Sequence, residues 1–141
     1  MKHSAAVIDT NVVIAGLLTA SGDSPTARIL DGMCRGAFPF LLSTGLLAEY
    51  RQVLLRKKIR ALHGLGEDEV DVLPTALAAN AIVREPPPRP GAPDPKDDHL
   101  WSLVQCEAGA VLVTGDRALA ESPPPRVVVL APRQFIEIVA A

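Results

Sequence analysis

Carboxylates are the residues of this chain best placed to do chemistry. Asp9 closes the apolar run Ala5-Ala6-Val7-Ile8, and Asp116 stands just past Val111-Leu112-Val113. Glu49 lies on an amphipathic stretch, while Asp97 and Asp98 open another. Four separated segments could thus deliver acids to one place. Carboxylates brought together repel one another, so such a cluster is unfavourable unless a cation occupies it. Oxygen donors with no His or Cys among them select Mg²⁺ or Mn²⁺ over zinc. Ions of that kind activate water, neutralise a phosphate and stabilise a leaving oxygen. The chemistry on offer is metal-assisted phosphoryl transfer.

Each acid also has a plainer explanation. Asp9 and Asp116 each precede a helical stretch and could simply cap it. Asp97 and Asp98 fall in a first helical turn, where acids favour the macrodipole. Glu49 lies past any capping box from Ser43 and borders the stripe through Leu46 and Val53, so it could merely reach solvent. The case therefore rests on the set, and on whether the fold brings it together.

The elements that must do so can be read from periodicity. Ala5 to Ile8 has the continuous apolar character of a strand buried on both faces. Apolar Val12 to Leu18 follows; then Ser24 and Pro25 predict a capped helix to about Arg35. Phe38 to Leu42 reads as a second strand. Ser43 then caps a helix with Leu46, Leu47, Tyr50, Val53 and Leu54 at helical spacing. Arg56-Lys57-Lys58-Ile59-Arg60 ends that helix or begins the next. Glu67 to Ala79 predicts helix, kinked or split by Pro74, and Ala81 to Val83 a third strand. A helix from Asp94-Pro95 to Glu107, a strand Ala110 to Val113, a short helix Arg117 to Glu121, a strand Val127 to Leu130 and a helix Arg133 to Ala140 complete the pattern. Strands alternating with helices imply an α/β fold with a mainly parallel sheet covered on both faces. In such sheets sites form beyond the carboxyl ends of the strands, where Asp9 and Asp116 both fall.

Pro86 to Pro93 is too rich in proline for helix or central strand and reads as a stiff surface loop. The flanks are too small to be domains, so residues 1–141 read as one domain. With 48% hydrophobic and 21% charged residues the balance is globular, and the low aromatic share, 4%, calls for an aliphatic core. A formal charge of −2 excludes nucleic-acid binding through bulk positive charge, leaving only a local basic patch. Cys34 and Cys106, far apart and outside any zinc-site spacing, read as small core residues of a reducing compartment. The run after Met1-Lys2-His3 is interrupted by Asp9-Thr10-Asn11, unlike a signal peptide, and no stretch is long enough to span a membrane. The expectation is a cytoplasmic protein.

Val7-Ile8-Asp9-Thr10-Asn11-Val12 resembles the opening motif of PIN domains. Glu49, in Leu-Leu-Ala-Glu-Tyr, resembles the second PIN acid. Asp94-Pro95-Lys96-Asp97-Asp98 and Leu112-Val113-Thr114-Gly115-Asp116 are similar to the third and fourth acids of PIN proteins grouped as toxins of toxin–antitoxin pairs. The match runs in order over nearly the whole chain. It implies a PIN-like three-layer domain with a five-stranded sheet between helices, a Mg²⁺ (or Mn²⁺) site and endonucleolytic cleavage of RNA. It also implies a cognate antitoxin and a homodimer. Carried over, Asp9, Glu49, Asp97 and Asp116 would be the catalytic, metal-binding acids and Asp98 a fifth ligand; Asn11 and Thr114 would support them through hydrogen bonds.

Arg51, Arg56, Lys57, Lys58 and Arg60 are candidates for backbone phosphates, with a solvated helix end as the alternative. His63 and His99 read as surface residues and Trp101 as packing. Between the adjacent acids, Asp97 shares a helical column with apolar Leu100 and Val104, so it should face the sheet. Asp98 shares one with Trp101, Ser102 and Gln105, a more mixed and more exposed face. A capping-box bond from Asp97 to the Asp94 amide is the competing reading. Two other functions fit less well. A non-catalytic PIN-like module would hold RNA or protein without cutting. A receiver-type phosphoacceptor would need an Asp where the third strand ends in Arg84-Glu85, and a Lys near the last strand, yet no Lys follows Lys96.

Overall fold

The computed structural model describes residues 3–139. Its strands are β1 (Ala6–Ile8), β2 (Leu41–Leu42), β3 (Ile82–Val83), β4 (Val111–Val113) and β5 (Val128–Leu130). They lie in the order β3-β2-β1-β4-β5, all parallel. The sheet comprises two ladders, β1-β4-β5 and β2-β3, joined by one bridge from Ala6 to Phe40. Phe38 to Leu42 reads as strand throughout, yet only its last two residues pair as one. Pro39 has no N–H to give a ladder; its carbonyl accepts the Ala6 N–H at 3.1 Å.

The helices are α1 (Thr10–Leu18), α2 (Pro25–Arg35), α3 (Thr44–Leu54), α4 (Lys57–His63), α5 (Glu67–Val70), α6 (Val72–Asn80), α7 (Asp98–Gln105), α8 (Arg117–Glu121) and α9 (Pro132–Val139). Local rules account for their starts. The Ser24 hydroxyl accepts the Ala27 N–H at 3.2 Å ahead of Pro25, and the Ser43 hydroxyl accepts the Leu46 N–H at 3.0 Å. The predicted Glu67–Ala79 helix is two, parted at Asp71 rather than at Pro74. Pro74 cannot donate to the Val70 carbonyl four residues back, so the break falls upstream of the proline. Ala140 of the predicted last helix lies outside the described residues.

The core gathers Ile8, Phe40, Leu41, Leu46, Tyr50, Leu100, Trp101 and Leu112 around the sheet. Two expectations are corrected. Cys34 and Cys106 are free thiols at the surface, because one occupies the outer face of α2 and the other the C-cap of α7. The Asp98 column of α7 is not exposed: Trp101 belongs to the core, and Ser102 is buried where the proline loop bonds to that face. The Arg89 N–H donates to the Ser102 hydroxyl at 2.7 Å, and the Ala92 N–H to Asp98 Oδ1 at 2.9 Å. The expected Asp97 column does pack inward, through buried Leu100 and Val104. Among the described residues, no helix is long and apolar enough to cross a membrane.

Candidate active site

The strand order reverses direction between β1 and β4. The chain steps outward from β1 to β2 and β3, then returns to β4 on the other side. A crevice beyond the carboxyl ends of the strands forms at such a point, and Asp9 and Thr114 border it on neighbouring strands. The Asp9 N–H continues the β1–β4 ladder to the Val113 carbonyl at 3.0 Å. Its carboxylate accepts the Thr114 hydroxyl at 2.7 Å on Oδ2 and the Thr10 N–H at 2.8 Å on Oδ1. The Thr114 oxygen in turn accepts the Asp116 N–H at 3.0 Å, and Asp116 Oδ1 accepts the Ala118 N–H at 2.8 Å. Asp9 and Asp116 are therefore helix caps and members of the cluster at once. Burial holds the Asp9 carboxyl above its usual range, with Glu49 and Asp116 pushing the same way and the Thr114 and Thr10 bonds pulling back.

Glu49 arrives from α3, held there by its neighbour. Tyr50 is wholly buried and its hydroxyl donates to the Ile8 carbonyl at 2.5 Å, pinning the helix to the end of β1. The Thr10 hydroxyl donates to the Glu49 carboxylate, and His99 Nε2 lies 3.4 Å from its other oxygen. The His99 contact, then Thr10 and Arg56, lower the Glu49 carboxyl against the opposing effect of burial; His99 is raised chiefly by the same contact.

Asp97 is the N-cap residue of α7 and the last of a 3₁₀ turn, Pro95–Asp97. Its side chain caps nothing, and its N–H donates to the Asp94 carbonyl at 2.9 Å, the reverse of a capping-box bond. Its carboxyl is pushed up to about 6, first by burial and then by Asp9, Asp94, Glu49 and Asp116. All four predicted acids thus share one electrostatic neighbourhood. Asp98 instead turns to the proline loop, its Oδ1 on the Ala92 amide.

Other predicted residues divide. Thr114 is buried and bridges Asp9 to Asp116, whereas Asn11 is exposed on α1. Thr10 makes the bond to Glu49, and neither it nor His99 stands out in the sequence. Thr10 sits inside the Asp-Thr-Asn motif and His99 two residues past Asp97, but only the packing of α3 against α1 and α7 reveals their partner. His99, read as a surface residue, is half-buried at the site. His63 is engaged with backbone at Leu54 and Leu65. Of the basic residues, Arg51 pairs with Asp71 at 2.6 Å and Arg60 approaches Glu67 at 4.0 Å. Arg56, Lys57 and Lys58 are exposed around the start of α4.

The donor chemistry fits a hard divalent cation: the acids are oxygen donors, and a positive charge would offset both the burial and the lesser repulsion that raise Asp97. Among the described residues, no three acid, imidazole or thiol groups yet surround a single point closely enough to hold one. The side chains face a common edge without gripping a common point.

A small parallel α/β domain with an acidic crevice at its topological switch point is the class that this fold and edge define. The chain belongs to the PIN domain family, whose model matches residues 5–118. Proteins of this family are typically nucleases and generally use divalent metals. The matched stretch takes in all four acids and ends within α8, leaving β5 and α9 outside it. No curated protein matches the chain.

Proposed function

We propose that the protein is a divalent-metal-dependent endoribonuclease and the toxin of a toxin–antitoxin pair, acting in the cytoplasm as a homodimer that a cognate antitoxin restrains. The observation that carries the nuclease reading is the approach of the acids to one sheet edge, Asp9 and Asp116 joined through Thr114 and Glu49 tied to Thr10 beside Asp9, with Asp97 facing them. Mg²⁺ or Mn²⁺ held by these four would polarise the scissile phosphate and supply a nucleophilic water at neutral pH. Thr114 fixes the direction of the Asp9 carboxylate, while Thr10 and His99 fix that of Glu49. The toxin role and partners rest on the ordered motifs from Asp9 to Asp116. A non-catalytic binding module is the second reading, favoured by the absence of a ready ligand cage among the described residues.

Metal removal separates the two. Purified protein is expected to cleave a mixed RNA substrate with Mg²⁺ or Mn²⁺, to stop in EDTA and to resume when the ion is restored. Full cleavage by stripped protein would sink the metal mechanism, and binding without cleavage under any condition would favour the second reading.

Arg56, Lys57 and Lys58 are the cations proposed to meet the RNA backbone. Each phosphate left without its cation should reduce the salt slope of binding by roughly 0.7 for a single strand. Replacing all three by Ala should weaken binding and flatten that slope. A slope equal to that of the unaltered protein would return them to solvated surface.

A further inference from the structure

Beside the acids lies a cleft of about 340 Å³ that the metal chemistry does not use. Its walls are the start of α3, with Ser43 and Gly45, the proline loop, with Pro86 and Pro88, the 3₁₀ turn, with Pro95 and Lys96, and the start of α7, with Asp98 and His99. The loop is fastened on both sides. Glu85 accepts the Thr44 N–H at 2.6 Å and the Thr44 hydroxyl at 3.1 Å, while Arg89 and Ala92 are bonded to Ser102 and Asp98 of α7. The cleft is thus a built feature. One residue belongs to both places: His99 lines the cleft and lies 3.4 Å from Glu49.

We propose that this cleft is a nucleobase subsite, taking one unstacked base of the RNA strand next to the phosphate held at the acids; the inference rests on the nuclease reading above. The volume is at the low end of small-ligand sites, the scale of a single nucleotide rather than of a duplex. Its lining combines three proline rings with the His99 imidazole, a flat π-surface on which a base can stack. The Glu85 and Asp98 carboxylates that also line it are engaged with the Thr44 and Ala92 amides. Lys96 adds a cation at the edge. The Ser43 oxygen caps α3 but leaves a hydroxyl proton to donate to a base acceptor. Because His99 borders both the cleft and Glu49, a base in the cleft would sit next to the acids.

Gly45 gives access to a test. A Cβ there would meet only the Ser43 hydroxyl oxygen, at 3.9 Å, so a side chain can be started at this wall of the cleft without a backbone clash. Gly45 is helical, and Leu is the better helix former. Short single-stranded RNAs would be made with each base in turn replaced by an abasic ribose, all phosphates kept. Their binding to Asp9→Asn protein, which should not cut them, would be followed by fluorescence anisotropy. One position should show affinity reduced about tenfold when its base is missing. That dip should vanish in Asp9→Asn/Gly45→Leu protein, with folding verified by melting. A flat series, or the same dip after Gly45→Leu, would overturn the subsite. Cleavage of intact RNA by the unaltered protein is scored separately: cutting with a flat series loses the subsite alone, and a dip without cutting loses the nuclease alone.

Discussion

Replacing Asp97 by Asn is expected to lower single-turnover cleavage by about two to three orders of magnitude, the loss that follows removal of a group aimed at transition-state charge. The same change should raise the melting temperature of the metal-free protein at neutral pH. In the folded chain the Asp97 carboxyl is pushed from 3.8 up to about 6, so between those values the native state holds a proton that the unfolded state has released. Its contribution is fully present below about pH 4 and is lost as pH rises through about 6. At neutral pH the ionised group is a liability, and Asn removes it. Because Asp97 is only part-buried, the gain should be about 1 kcal/mol after solvent screening is allowed for. Asp98→Asn should behave differently. Asn keeps an acceptor for the Ala92 N–H, so cleavage should stay within a few-fold of the unaltered protein. Kinetics, metal affinity and melting of both variants decide the matter, and a larger loss at Asp98 would reverse the assignment.

Trp101→Ala should be among the most destabilising single changes, at about 3–5 kcal/mol, against a total stability of only ~5–15 kcal/mol for a domain. Trp101 is 1% exposed on the helix that follows Asp97 and carries His99. Removing it empties the space between that helix and the sheet. Trp101→Phe should be far milder, since the indole N–H has no hydrogen-bond partner where it lies and its deletion leaves nothing newly unpaired. Urea unfolding, compared at unchanged m-value, measures both. A loss of less than about 1 kcal/mol for Ala would contradict the close packing of Trp101.

What could be read in advance divides along physical lines. Ser24-Pro25 and Ser43 begin α2 and α3 as predicted, because capping depends on atoms two or three residues away. The apolar runs marked strands for the same local reason. Asp9 and Asp116 could be placed because each sits just past a strand, where topology alone puts it at the crevice. Harder features depended on contacts distant in the chain. Ser102 and Asp98 are covered because the Pro86–Pro93 segment bonds across them, and helical periodicity cannot register a loop. His99 meets Glu49 across fifty residues of sequence. Cys34 and Cys106 followed a general preference for burial that their own helix positions overrode.

The bond between Tyr50 and Ile8 has a consequence for the shape of the crevice. In a parallel ladder alternate residues bond to opposite neighbours. Ala5 and Asp9 bond to β4 and Ala6 to the β2 side, so the Ile8 carbonyl turns toward β2. Backbone pairing on that side stops at the Ala6–Phe40 bridge, and the phenol hydroxyl takes the place of the next strand amide. The phenol thus lets pairing on that side end early at the functional end of the sheet while leaving no buried acceptor unmet. The distance at which α3, and with it Glu49, is held from the end of β1 therefore depends on the length of one side chain. A residue of different size at position 50 would reset that distance without touching an acid.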